Sequence, residues 1–407
     1  MKLGIFSDTH LGFDSRGERA SESFENLTQA INLCIREKAD AILLAGDIFD
    51  APVPSHDTLY HAMNSFSVAK KGKCEVNSTF EKGSDSREIK FAGIPIFAIH
   101  GNHEYAGKDT RTALDVLTMS GLIFYFHAGR VVIEKNGERA MVYGLGAVPE
   151  KKALEVLQHW SPKAEKGCSN ILLLHQGFKE FMAVDDEMVA TLSLDDLPKG
   201  FDLCVDGHLH WRQQLKVGSG VFLLAGSTIA TSIKRIEADQ QKGVHFFDTG
   251  ARALTFVPFE RQRRAFYHKI DFRDAEIEDV LKYCRDEISK DLKEGHEQKP
   301  LIRLNLKGTL KKGISSSDVN INQIIAEFSP LAILSISKNF SSVSFRKKIS
   351  DLREMQRSKL SVAAMGLELL EKNLKETDFG NEIGAKELFG MLEDDEMGKA
   401  LAYLTKR

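Results

Sequence analysis

Five short groups of polar residues each follow an apolar run in this sequence. The groups are Asp8 and His10 in FSDTH, Asp47 and Asp50 in AGDIFD, Asn102 and His103 in IHGNHE, His175 in ILLLHQ, and His208 and His210 in CVDGHLH. The apolar runs are typical of buried strands, which seldom end in so many side chains able to bind a ligand. If these strands pair in parallel, all five groups point into one crevice at the carboxyl ends of the sheet.

The chemistry of these side chains indicates a metal site. Asp, Asn and His together offer oxygen and nitrogen ligands that suit Mn, Fe or Zn, whereas Ca prefers an oxygen-only set. None of the groups contains Cys, which argues against a structural zinc site. The five groups together offer too many candidate ligands for one tetrahedral ion and suit two ions that share a carboxylate, the arrangement of many phosphatases and nucleases.

The first third of the chain alternates predicted strands and helices, as an α/β fold requires. Residues 2–7 and the run ADAILLAGD are predicted strands, and an apolar face at helical spacing lies between them, formed by Phe24, Leu27, Ile31, Cys34 and Ile35. A second helix is predicted near 56–69, and the polar stretch 70–93 reads as an exposed loop. Strand-rich sequence follows to about Gln262, which favours two packed sheets with helices outside.

The last third contains two further regions. Residues 265–340 show the order strand, helix, strand, helix, strand, which predicts a separate small α/β module. After Arg346 the sequence is charged and helix-forming. Two apolar sets lie in this helical region, one formed by Leu360, Ala364, Leu367, Leu370 and Leu374 and the other by Leu388, Phe389, Leu392, Leu401 and Leu404.

Composition limits the classes of protein that are possible. The chain has 407 residues, of which 42% are hydrophobic, so it can bury a large core and should form two or three domains. The formal net charge of −3 gives no overall basic surface for nucleic acid. Five widely spaced cysteines without a CxxC pair favour reduced thiols. No apolar run approaches the length of a membrane span, so a cytoplasmic location without membrane association is predicted.

The order D-x-H, G-D-x-x-D, G-N-H-E, H and G-H-x-H resembles that of the calcineurin-like metallophosphoesterases. Within them the chain resembles the SbcD-type DNA double-strand-break repair nucleases, whose archaeal and eukaryotic counterpart is meiotic recombination eleven. FSDTHLG, GDIFD followed by PVPS, IPIFAIHGNHE and GSTIATS at 226–232 carry this closer resemblance. It implies a two-sheet α/β/β/α nuclease domain over 1–262, a small α/β capping domain over 263–345 and a helical partner-binding segment over 346–407.

The resemblance also implies a role for each residue of the five groups. Asp8, His10 and His210 would hold one ion, Asn102, His175 and His208 would hold the other, and Asp47 would bridge them. His103 would not be a ligand but would face the scissile phosphate and protonate or orient the leaving oxygen. Asp50 would fix the tautomer of His103 by a hydrogen bond; some members of the repair family have histidine at this position.

The activity implied is that of a dinuclear-metal DNA nuclease, with manganese-dependent 3′ to 5′ exonuclease and single-strand endonuclease action in double-strand-break repair. The partners implied are DNA, a second copy of the chain that dimerises through helices near 55–69 and 108–120, and an SMC-like ABC ATPase with a coiled coil, of the SbcC or Rad-fifty type. The ATPase would bind the residues after about 346.

Two other functions are compatible with the same motifs. A phosphatase or phosphodiesterase acting on proteins or small nucleotides would need the same metal ligands, although it would need neither a capping module nor a helical tail. A non-enzymatic scaffold would require lost ligands, and none is missing. The basic run of Arg261, Arg263 and Arg264 is more typical of a solvated linker than of a DNA contact.

Overall fold

The computed structural model describes residues 1–104, 110–182, 192–341, 366–367, 370–371, 373–374, 384–393 and 397–405. The strands are β1 (Lys2–Phe6), β2 (Ala41–Ala45), β3 (Asn77–Lys82), β4 (Asp85–Ile89), β5 (Ile96–Ile99), β6 (Phe124–Tyr125), β7 (Gly129–Lys135), β8 (Glu138–Leu145), β9 (Ser169–Leu174), β10 (Leu203–Asp206), β11 (Gln213–Val217), β12 (Gly220–Leu224), β13 (Gly243–Asp248), β14 (Ala253–Pro258), β15 (Ala265–Ala275), β16 (Leu301–Leu310) and β17 (Ile333–Phe340). The helices are α1 (Glu22–Arg36), α2 (His56–Ser67), α3 (Ala113–Met119), α4 (Glu150–Trp160), α5 (Arg235–Ala238), α6 (Ile277–Leu292), α7 (Asn322–Phe328), α8 (Ala385–Glu393) and α9 (Met397–Thr405).

Two large sheets form the core of the first 260 residues. One has the order β14-β13-β1-β2-β5-β6, and the other has the order β11-β12-β10-β9-β8-β7-β3-β4. Side chains alternate between the two faces of each strand. Leu3 and Ile5 therefore pack between the sheets, whereas Ile42 and Leu44 pack in the cluster that contains the apolar face of α1.

Helix α4 packs in a third cluster through Ala153 and Leu157, together with alternate residues of the eight-stranded sheet such as Leu172 and Leu174. The layers are thus helix, sheet, sheet and helix. This confirms the predicted α/β/β/α fold class.

Parallel pairing places the polar groups at one edge of the sheets. In the first sheet β1 pairs with β2, and β2 pairs with β5, both in parallel. In the second sheet β10 pairs in parallel with β9 and with β12.

Gly4 allows α1 to approach β1 closely, because a Cβ atom there would lie 2.5 Å from the Sγ atom of Cys34.

The prediction of an exposed loop at residues 70–93 is wrong, because most of this stretch is a β-hairpin. Strands β3 and β4 pair with each other, and β3 also pairs with β7, which extends the second sheet by two strands. Ser78 and Phe80 point inward and are buried. The edge strand β4 carries exposed charged residues, and charge on an edge strand opposes pairing with other chains. These charged residues conceal the short apolar alternation.

The five elements predicted for residues 265–340 are present as β15, α6, β16, α7 and β17, with the strands in one three-stranded sheet. The chain divides into two compact units, one comprising Met1–His268, Asp291–Arg303 and Leu331–Ser335, and the other comprising Lys269–Lys290, Leu304–Pro330 and Ile336–Arg407. The domain boundaries after 262 and 345 stay predictions.

The C-terminal helices α8 and α9 lie within the predicted helical segment 346–407. Leu388 is buried, whereas Leu392, Leu401 and Leu404 are exposed. Leu360 and Ala364 of the other apolar set lie outside the described residues. No helix in the described part of the chain combines the length and the apolar character needed to cross a bilayer.

We expect Phe80→Ala to lower the free energy of unfolding by about 3–5 kcal/mol, because the ring is buried against Phe124 and Phe126 at centroid distances of 5.3 and 6.3 Å. The exposed hairpin residue Ser86 provides the control, and Ser86→Ala should change stability by no more than about 0.5 kcal/mol. Urea unfolding of both variants measures the difference. Equal stabilities would mean that the hairpin is not part of the sheet in solution.

Candidate metal centre

The loops after β1 and β2 are joined by backbone hydrogen bonds at the base of the site. The amides of Asp8, His10 and Leu11 donate to the carbonyls of Gly46, Asp47 and Ile48 at 3.0, 3.1 and 2.8 Å. These bonds continue the parallel pairing of the two strands beyond their ends. The two motifs D-x-H and G-D-x-x-D are therefore held side by side.

Four of the predicted ligands have left-handed backbone conformations, which are uncommon for residues other than glycine. The φ angles are 51° at Asp8, 43° at His10, 46° at Asp47 and 71° at His208. Each such residue costs on the order of 1–3 kcal/mol, and residues of this kind cluster at active sites and ligand-binding sites. The backbone at this edge thus adopts an unfavourable conformation at four residues whose side chains lie close together.

The loop after β5 approaches Asp47 so closely that only glycine fits at position 101. A Cβ atom on Gly101 would collide with the carboxylate and the backbone nitrogen of Asp47. The backbone N–H of His103 donates to Oδ1 of Asp47 at 2.9 Å. The glycine of the G-N-H-E motif is therefore required by this close approach.

One group of predicted ligands comprises Asp8, His10 and His210. The Nε2 atoms of His10 and His210 are 3.2 Å apart, and Nε2 of His210 lies 3.9 Å from Oδ1 of Asp8. The ligand atoms of all three residues lie within 4.8 Å of one another. The structure therefore places together the three residues predicted for the first ion.

The second group surrounds Asn102. Its Oδ1 atom lies 3.1 Å from Nε2 of His175 and 3.0 Å from Nδ1 of His208. Nε2 of His175 is also 3.3 Å from Oδ2 of Asp47. Asp47, His175 and Asp8 form a second candidate ligand group within 4.8 Å, so Asp47 and Asp8 connect the two sets.

Hydrogen bonds on the far side of the rings orient most of the histidines. Nδ1 of His175 donates to the carbonyl of Ala45 at 2.7 Å, which leaves Nε2 facing Asp47. Nδ1 of His10 lies 3.1 Å from Oδ1 of Asp50, and Nδ1 of His210 lies 2.9 Å from the hydroxyl of Thr231. Partners of this kind fix the ring and leave the other nitrogen available to a metal.

Asp50 contacts two histidines of the site through different groups. Its carboxylate contacts His10, whereas His103 donates from Nδ1 to the backbone carbonyl of Asp50 at 2.7 Å. Asp50 thus orients His103 through its main chain and a predicted ligand through its side chain. A ring nitrogen of His103 also lies within 4.8 Å of ligand atoms of His10 and Asp47. That His103 contacts the substrate and does not bind a metal therefore stays a prediction.

Burial and mutual attraction set the charges of the site. Burial raises the pKa of Asp8 to about 6. Burial also opposes ionisation of His175, but the Asp47 carboxylate outweighs it and raises the pKa of His175 to about 10. His175 in turn holds the pKa of Asp47 well below its usual range despite burial. Burial lowers the pKa of His208 to about 4, so that ring is neutral near pH 7.

The residues present fit divalent metal ions. Asp8 is fully buried and its Oδ2 atom has no hydrogen-bond partner, which is costly for a carboxylate unless a cation is bound. The other donors are carboxylate, amide and imidazole groups whose ligand atoms lie close to one another. Such a set suits Mn, Fe or Zn.

Two supporting residues were not predicted from the sequence. Glu104 is buried, and its carboxylate accepts from the amides of Gly101 and Phe49 at 2.8 and 2.5 Å, which joins the loops after β5 and β2. Thr231 contacts His210 as described above. Glu104 lies in the G-N-H-E motif and Thr231 lies in GSTIATS. Their positions in these motifs are the sequence feature that could have indicated a role in the site.

In the basic run at 261–264, Arg263 contacts other residues of the protein. Arg263 is largely buried, donates to Glu22 at 2.8 Å and contacts the carbonyl of Lys299. Arg264 is exposed and lies 3.3 Å from Glu294. Arg263 is therefore committed to packing within the first unit.

The family model of the calcineurin-like phosphoesterases matches residues 1–212, which is more than half of the 407 residues. The chain therefore belongs to the calcineurin-like phosphoesterase family. Divalent metal ions are the cofactors that this fold and the candidate ligand groups indicate.

Among individual proteins, the chain is similar to those named double-strand break repair protein MRE11. It is 25% identical to that of Arabidopsis thaliana, over 75% of this chain and 49% of the plant protein. It is 23% identical to the Mre11 of Sulfolobus acidocaldarius, over 76% of each chain. It is 27% identical to the Mre11 of Sulfurisphaera tokodaii, over 80% of this chain and 77% of that one.

The matched part covers 49% of the plant relative and about three quarters of the archaeal ones. These similarities confirm the predicted resemblance to the double-strand-break repair branch of the family.

We expect metal binding to release protons. Without metal His175 is protonated at neutral pH, since its pKa is about 10, and a ligand imidazole must be neutral. Mn²⁺ affinity should fall about tenfold per pH unit between pH 8 and 7, and more steeply below pH 6, where Asp8 also takes up a proton. Calorimetric titrations in buffers of different ionisation enthalpy count the protons.

The exposed His159 provides the control for this measurement, because His159→Ala should leave both the affinity and the proton count unchanged. A Mn²⁺ affinity that did not change between pH 6.5 and 8 would contradict the assignment of His175 as a ligand that is protonated before the metal binds.

Proposed function

We propose that this chain is a two-metal phosphodiesterase that cuts DNA in double-strand-break repair. The observation that supports this most is the meeting of all seven predicted ligands at one edge, with Asp47 between the two sets. A pair of ions sharing a carboxylate is the recurrent arrangement of enzymes that displace an oxygen at a phosphate.

The residues that would hold the ions follow from the two groups. Asp8, His10 and His210 would bind one ion, Asn102, His175 and His208 would bind the other, and Asp47 would bridge them. When bound, the ions would activate water near neutral pH and offset the negative charge of the phosphate. Manganese is the proposed native metal, by resemblance to the repair nucleases.

His103 is the proposed proton donor to the leaving oxygen. Its backbone N–H is anchored to Asp47 and its Nδ1 to the carbonyl of Asp50, so the position of Nε2 is fixed. The side chain is 36% exposed, whereas that of His175 is 1% exposed. A fixed but accessible imidazole suits contact with a substrate better than the buried ligands do.

DNA is the proposed substrate because the relatives that match most of this chain are named DNA or double-strand break repair proteins. We propose 3′ to 5′ exonuclease and single-strand endonuclease activity by resemblance to the SbcD-type repair nucleases. A cytoplasmic location is part of the same proposal.

A second copy of the chain is one proposed partner. Helices α2 and α3 fall in the two regions predicted to dimerise. They carry exposed apolar side chains, with Tyr60 62%, Val116 44% and Met119 87% exposed. Exposed apolar side chains of this size are typical of surfaces that a partner covers.

An SMC-like ABC ATPase with a coiled coil is the other proposed partner. In α8 and α9, Leu388 and Ala400 are buried while Leu392, Leu401 and Leu404 are exposed. These two helices thus keep part of their apolar surface available after packing, as a segment that grips a helical partner requires.

We expect manganese-dependent hydrolysis of end-labelled DNA that falls by about 10²–10⁴ in His103→Ala, because a general acid contributes a factor of this size. Manganese content should not change, since His103 is proposed not to be a ligand. His159→Ala serves as the surface control. Hydrolysis of a phosphomonoester without DNA cutting would keep the metal site but move the function to a phosphatase.

The tail can be tested with the double variant Leu392→Glu/Leu404→Glu, which we expect to bind the ATPase at least about tenfold more weakly, since buried charges are costly at an interface. Leu331→Glu is the control, because Leu331 is 56% exposed and lies outside these helices. Fluorescence anisotropy with the labelled ATPase coiled coil measures the affinity. Unchanged binding by the double variant would remove this docking proposal.

A further inference from the structure

A buried lysine lies directly behind His210. The Nζ atom of Lys242 donates to the backbone carbonyl of His210 at 3.0 Å, to the hydroxyl of Ser227 at 2.8 Å and to Oε1 of Glu237 at 2.8 Å. The side chains of Lys242 and Glu237 are 10% and 2% exposed. All three hydrogens of the ammonium group are therefore used inside the protein.

The three acceptors come from separate segments of the chain. His210 follows β10, Ser227 follows β12, and Glu237 lies on α5, while Lys242 itself precedes β13. An ammonium group can direct one donor to each of three acceptors around it, whereas a guanidinium donates only in its own plane. Lys242 thus joins four segments at one point.

The same loop also holds the ring of His210. The backbone N–H of Ser227 donates to the carbonyl of His210 at 3.2 Å. Four residues further along, the hydroxyl of Thr231 lies 2.9 Å from Nδ1 of His210. One loop therefore fixes His210 twice, since Ser227 contacts its main chain and Thr231 contacts its imidazole. Lys242 in turn holds Ser227.

We propose that Lys242 and Thr231 form a clamp that positions His210 for metal binding, with Lys242 fixing its main chain and Thr231 its ring. The clamp rests on the proposed assignment of His210 as a ligand. Neither residue would touch the ion or the substrate. A buried ion pair is poor evidence for stability alone, and this one contacts the backbone of a ligand.

The test uses the full chain stripped of metal and titrated with Mn²⁺, with free ion followed by its electron paramagnetic resonance signal. The variants are Thr231→Val, Thr231→Ser and the double variant Lys242→Met/Glu237→Gln, which avoids an unpaired buried carboxylate. Lys216→Met and Ser232→Ala are the controls, because both residues are exposed and outside the clamp.

Wild type and both controls should bind two ions. Thr231→Val and the double variant should bind one ion as in the wild type and the second at least tenfold more weakly. Thr231→Ser, which keeps the hydroxyl, should restore the second site. Thr231→Val leaves the charged pair intact, so it tests the clamp even if the double variant does not fold.

Folded variants that bind both ions with wild-type affinity would overturn the clamp. Equal weakening at both sites together with a lower melting temperature would also overturn it, because Lys242 would then be only a structural residue. The variant His210→Ala separates the two proposals. If it keeps both ions, the ligand assignment fails; if it loses one while the clamp variants keep both, only the clamp fails.

Discussion

The buried carboxylate of Asp47 is the contact on which the metal centre depends. One oxygen accepts from the backbone of His103, and the other faces the imidazole of His175. The carbonyl of the same residue accepts from His10. The loops after β1, β2, β5 and β9 therefore meet at one residue. A buried charge of this kind requires compensation, which protonated His175 provides in the metal-free protein, so the two sheets must stay close for the carboxylate to stay ionised.

The fold class and the place of the candidate site could be predicted because they follow from local rules. Apolar runs of strand length ending in polar groups locate the strands and their carboxyl ends, and the helical spacing of Leu27, Ile31 and Cys34 locates α1. Parallel pairing then requires the groups to meet. The order of the motifs predicted the family. Each motif follows a particular strand of the fold, so proteins that share the fold carry the motifs in the same order along the chain.

Contacts that depend on the packed structure could not be predicted in the same way. The hairpin of β3 and β4 was read as a loop because only alternate residues such as Phe80 are apolar, and charged residues surround them. A hydrogen bond between Asp50 and His103 was predicted, but not the atom of Asp50 that makes it, because whether a side chain or a carbonyl faces a ring depends on backbone geometry. Lys242 and Glu237 resemble surface residues in sequence, and only the packing of four segments buries them.

The division of the ligands between the two sheets has a consequence for folding. Asp8, His10, Asp47 and Asn102 follow strands of the six-stranded sheet, whereas His175, His208 and His210 follow strands of the eight-stranded sheet. Each proposed ion would thus be bound by both sheets and would act as a crosslink between them. A ligand that binds only the native state stabilises it by about 2.7 kcal/mol when present at a hundred times its dissociation constant. Loss of metal would accordingly loosen the packing of one sheet on the other at the edge that carries the candidate ligands, so metal supply and resistance to unfolding would be thermodynamically linked.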